Sequence, residues 1–235
     1  MQSSRRRLAT ILMCACAGLL AACNYSTNED VTVREGTSHR GDAVTINGNV
    51  RVEKDADARD SSFRTINGNV VVEEGAKVSD CETVNGSVRI GDGTEAGDLR
   101  TVNGDLSVGR DAHIDGQVQL VNGSVRLASG SRVQGDVGTV NGLIEMRSAT
   151  VNGDLTNTNG GMLITDGSEV LGGIRVEAVD EGSEGEPPRI IVGPGVRIRG
   201  ESVFERPVEL HVHDSAEMGP VSGAQVIRYS GSEPG

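Results

Sequence analysis

The sequence predicts an all-β chain: a single-stranded β-helix (β-solenoid) with 18–20-residue coils and a ladder of Asn-Gly corners. Three observations predict it. First, glycine supplies 33 of 235 residues while hydrophobics still make 36%, so the chain is turn-rich and yet able to fill a core. No G-X-Y period exists, which excludes collagen, and glycine costs about 1 kcal/mol inside a helix, which argues against a bundle. Second, Asn-Gly recurs at Asn47, Asn67, Asn85, Asn103, Asn122 and Asn141 with spacings of 20, 18, 18, 19 and 19 residues, and Asn159 follows 18 later. Asn152-Gly153 falls out of phase and aligns instead with Gln134-Gly135. Third, apolar columns keep the same period. They stand one residue before each Asn (Ile46 to Val140), three after (Val50 to Met162), five after (Val52 to Ile164) and four before (Ala43 to Leu155).

Asn-Gly is also a strong hairpin signal, so an antiparallel meander is the competing fold. A meander does not require every turn to be alike. Vertical stacking does reward identical residues at one phase, so a solenoid is preferred. Stacked Asn amides would each donate to one neighbour and accept from the other. Asn and Gly would both tolerate a left-handed corner. About nine coils rising about 4.8 Å each would make a rod of about 45 Å. A coil this short encloses a narrow core, which aliphatic residues fill better than rings.

The elements follow in order. Arg5, Arg6 and Arg7 precede a short apolar run, Leu8 to Ala22, that ends at Cys23. The run is short for a membrane span and reads as a signal peptide over residues 1–22. The ending Leu20-Ala21-Ala22-Cys23 resembles the lipobox of bacterial lipoproteins. That resemblance implies acylation of Cys23, and Asn24 in place of Asp after it implies the outer membrane, at its periplasmic face or the cell surface. Residues 23–42 are expected to be a lipidated tether with an N-terminal cap, and 43–179 the repeats. Residues 180–189 form an acidic Gly/Pro loop, 190–229 the C-terminal coils and cap, and 230–235 a disordered tail.

Loss of the signal peptide takes the formal charge from −12 to −15. Such a chain repels phosphate backbones, so nucleic acid is not an expected partner. Only Tyr25, Phe63, Phe204 and Tyr229 could stack on a sugar or base. Cys81 is the one cysteine left after the acylated Cys23, so no intramolecular disulfide is expected, and its aliphatic column makes it a buried, inert thiol.

Candidate chemistry is sparse. Glu209, His211 and His213 share a strand face at i, i+2, i+4, a spacing that suits zinc, but no fourth ligand is evident. Asp111, His113 and Asp115 would suit a dyad only if another turn supplied a nucleophile. Asp92-Gly93-Thr94-Glu95 could take Ca²⁺ weakly. No Gly-x-Ser-x-Gly elbow is present. No catalytic, metal or cofactor site is therefore assigned, and no enzymatic activity is expected.

The V-N-G-x-V-x-V turns, and segments such as Val133 to Val137, resemble bactofilin-type polymer-forming β-helix proteins and adhesin-type surface repeats. The resemblance covers about residues 43–230 and implies a rod able to join end to end. The expectation is a membrane-anchored structural or interaction solenoid of the cell envelope. Its partners would be the membrane through the lipid, further copies, and envelope proteins or polysaccharide. A surface adhesin or Ca²⁺-dependent binding module is the alternative, with a β-helix enzyme behind both.

Overall fold

The computed structural model describes residues 24–178, 186–231 and 233–234. The expected signal segment, Cys23 and most of the acidic loop lie outside the described residues. The described chain is strands and turns without a helix. Three parallel sheets of 11, 11 and 9 strands run the length of a β-solenoid.

One coil shows how the sequence builds the rest. Leu99–Asn103 lies in the first sheet, Leu106–Val108 in the second and His113–Ile114 in the third. The next coil repeats this 19 residues on, with Leu99 opposite Val118, Leu106 opposite Val125 and His113 opposite Arg132. Strand side chains alternate between faces. Leu99, Thr101, Leu106, Val108, Ala112 and Ile114 are accordingly buried, while Arg100, Val102 and Ser107 turn outward.

That alternation corrects one of the four expected core columns. The residues before each Asn lie three positions from an inward residue on the same strand, so they face out. Ile46, Val84, Val102, Val121 and Val140 are only half-buried, and Ile66 is 38% exposed. The inward place belongs to the residue two before each Asn: Thr45, Thr65, Thr83, Thr101, Leu120, Thr139 and Asn157, all buried. The other three columns are buried as expected. Two more inward columns lie along the third sheet, a small one through Ala56, Ala76, Thr94 and Ala112, and an aliphatic one through Val78, Ile114, Val133 and Val151. Phe63 also lies in the core, opposite the small Ala43 of the preceding coil.

The N-terminal end differs from expectation, while the last strand ends at Tyr229. Asn24–Ser26 already pairs with Ala43–Thr45, and Val31–Val33 with Val50–Val52. Segment 24–42 is thus the first coil, not a tether. Beside the acidic loop the stack stays in register, with Asn157 opposite Val176 and Met162 opposite Ile190. In the expected tail, the Pro234 carbonyl accepts a bond from the Arg189 guanidinium at 3.4 Å.

Candidate functional site

The most regular feature of the surface is the Asn column. Each amide nitrogen donates to the Oδ1 of the coil before it. Asn67 donates to Asn47 (2.8 Å), Asn85 to Asn67 (2.9 Å), Asn103 to Asn85 (2.9 Å) and Asn122 to Asn103 (2.8 Å). Asn141 then donates to Asn122 (2.7 Å) and Asn159 to Asn141 (3.0 Å). All seven predicted residues are joined.

Sequence reasoning missed both ends of this ladder. At the bottom, Asn47 donates to Asn28 at 2.8 Å. Asn28 lies 19 residues before Asn47, in phase, but Glu29 follows it in place of Gly, so it carries no Asn-Gly signature. At the top, the Arg206 guanidinium donates to Asn159 Oδ1 at 3.0 Å and to the Thr158 carbonyl at 3.2 Å. The register explains the reach. Asn157, Val176 and Phe204 are stacked, so Asn159, Ala178 and Arg206 share the ladder position. Ala178 brings no amide there, and the long Arg206 side chain spans the gap.

The glycine after each Asn is set by proximity more than by a left-handed turn. A Cβ on Gly86 would lie 1.9 Å from the Gly68 carbonyl oxygen. No ladder Asn has a positive φ, and of the glycines that follow them only Gly104 and Gly123 do. The left-handed corner lies between the second and third sheets, where Gly93 (φ 63°), Asp111 (φ 54°) and Gly130 (φ 77°) follow one another up the stack.

The carboxylates and small polar side chains form further ladders. At the corner entering the first sheet, Asp80 accepts the Asp98 N–H, Asp98 the Gln117 N–H, Asp136 the Asp154 N–H and Asp154 the Gly173 N–H, all at 2.8–2.9 Å. At the corner entering the second, Asp30, Asn49, Asn69 and Asp105 do the same for Asn49, Asn69, Ser87 and Ser124. Where coils turn, backbone N–H groups leave the sheets and need another acceptor. Much of the acidity is therefore spent on the fold.

This removes the calcium candidate as a cluster. Asp92 is taken by Arg110, at 2.7 Å and 3.0 Å to the guanidinium and 2.8 Å to its N–H, and these bonds hold its carboxyl below the ordinary carboxylate range. Glu95 pairs with Lys77 at 2.6 Å, and Thr94 is buried.

The other candidates separate similarly. Asp111 occupies the left-handed corner, while His113 Nε2 lies 3.0 Å from Asp115 Oδ1 and 3.4 Å from Gln134 Nε2. No serine or cysteine is bonded to that pair among the described residues. Glu209 is exposed and His211 is 8% exposed between Ile191 and Ile227 of the adjoining coils. His213 Nδ1 bonds Ser215 at 2.8 Å, and its ring meets Tyr229 edge-on at 5.2 Å. No group of three or more His, Cys, Asp or Glu is placed to hold a metal among the described residues. Cys81 is fully buried, and burial, helped by Asp80, pushes its thiol up to about 12.

No family model matches the chain, and neither a curated protein nor a solved structure does.

Proposed function

We propose that this chain is a lipid-anchored rod of the bacterial envelope, acting as a structural or interaction element and joining further copies through its ends. The observation that carries the reading is an unbroken stack of parallel strands in which Asn24–Ser26, directly after the lipobox cysteine in sequence, is already paired. An acylated Cys23 would set the first coil at the lipid surface with almost no tether, and the remaining coils would project from it. Acyl chains contribute about 0.8 kcal/mol per buried methylene, so two or three hold such a rod without a spanning helix.

End-to-end joining is supported by the last coil. Val226–Tyr229 is an edge strand of the second sheet. Val221, Ala224 and Val226 close the core there while only partly buried, and Ile227 is 47% exposed. An open strand edge beside a partly buried core favours pairing with another chain.

Detergent-phase partitioning of the full chain expressed in a bacterial host tests the anchor. The protein should enter the detergent phase, and Cys23→Ser should move it to the aqueous phase without altering its β spectrum. Equal partitioning of the two would refute lipid anchoring.

A further inference from the structure

We propose that Asn159-Gly160 is a self-modifying site, at which the chain converts the last rung of its own amide ladder to a carboxylate. Any Asn-Gly pair can undergo this reaction, because an unhindered glycine nitrogen can attack the preceding amide carbon. Eight such pairs occur in the chain, and the fold treats them differently.

In the ladder interior the nucleophile is tied up. The N–H groups of Gly68, Gly86, Gly104 and Gly123 each donate to the Asn carbonyl of the following coil, at 2.9–3.1 Å. Attack requires breaking that bond, with both neighbouring rungs still holding the side chain. Out of phase, Gly153 N–H also donates, to the Gly135 carbonyl at 3.3 Å. By contrast, Gly48, Gly142 and Gly160 N–H find no hydrogen-bond partner among the described residues.

Among the described residues, only Asn159 combines an activating group with a glycine N–H that has no partner. Its Oδ1 accepts the Arg206 guanidinium at 3.0 Å, whereas Asn47 and Asn141 Oδ1 accept neutral amides. The Gly160 nitrogen gives its proton to solvent base and bonds to Asn159 Cγ. Negative charge gathers on Oδ1, where the guanidinium stabilises it. The Cγ–Nδ2 bond then breaks and ammonia leaves. Water opens the cyclic imide to an aspartate or an isoaspartate, and the ammonia takes up the proton released, so the net change is amide plus water to carboxylate plus ammonium. The product keeps an ion pair with Arg206. It has lost the N–H that bonded Asn141, so the top rung of the ladder is released.

The test is peptide mapping of the folded full chain held in mildly alkaline buffer, with fragment ions locating each conversion. Conversion at Asn159 should run several-fold faster than at Asn85 and Asn103, and the difference should collapse in urea. Arg206→Leu should slow Asn159 several-fold while the interior rates stay put, with circular dichroism confirming the fold. A rate at Asn159 no greater than at the interior rungs overturns the site, independently of any variant. An unchanged or faster rate in Arg206→Leu overturns the role of the guanidinium.

Discussion

At the residue scale, the inward Thr column shows how a polar side chain serves a core. Thr101 is fully buried, and its hydroxyl donates to the Gly86 carbonyl at 3.0 Å; Thr65 and Thr83 serve Gly48 and Gly68 likewise at 2.8 Å. Thr101→Val keeps the shape and strands that carbonyl, so it should cost about 1–3 kcal/mol in urea unfolding. The contrast between faces is sharper. Leu106→Ala removes a fully buried side chain and should cost about 2–5 kcal/mol. Val102→Thr, on the half-buried outer stripe, should stay within about 0.5 kcal/mol. Comparable losses in those two variants would reverse the assignment of faces. Cys81 gives a pH signature. Burial pushes its thiol up to about 12, against 9.0 for a free thiol. A raised acid pKa contributes stability below the unfolded value and loses it as pH climbs toward the folded one. Stability should therefore fall by about 1.4 kcal/mol per pH unit between these limits, and Cys81→Val should flatten that slope.

At the element scale, the corner ladders tie each coil to the next with side-chain bonds as well as strand pairing. Asn103→Asp, in the ladder interior, deletes the donor to Asn85 and sets a carboxylate against that acceptor. It should lower stability by about 1–3 kcal/mol near neutral pH, and part of the loss should return below the carboxylate pKa, when the protonated acid can donate again. A pH-independent loss would argue against a stacked ladder. This scale also shows what the residues made legible. Asn-Gly at one phase gave away the coil length and seven of the rungs, because stacking selects like residues. The Thr column was hidden because hydropathy scores a buried hydroxyl as polar, although Gly86 needs it. The Val102 stripe misled for the converse reason, since an apolar residue recurring in phase looks like core until strand alternation is imposed. Arg206 was beyond sequence reading, because its link to Asn159 spans 47 residues and an insertion.

At the scale of the whole molecule, the three sheets make one continuous rod. Eleven strands in each large sheet imply a length of about 48 Å at about 4.8 Å per rise. Part of the surface charge is engaged by ladders and by ion pairs such as Arg199–Glu169 at 2.5 Å. Among the described residues, the repeat leaves a strand edge unpaired at each end of the large sheets. Calorimetric titration with Ca²⁺ should accordingly give no saturable heat, since Asp92 and Glu95 are engaged by Arg110 and Lys77; a stoichiometric site would favour the binding-module alternative. The rod is proposed to join through its ends. Electron microscopy of the acyl-free chain at high concentration tests it most directly. Unbranched filaments with an axial repeat of about one rod length, near 50 Å, are expected, and strict monomers at every concentration would refute end-to-end joining.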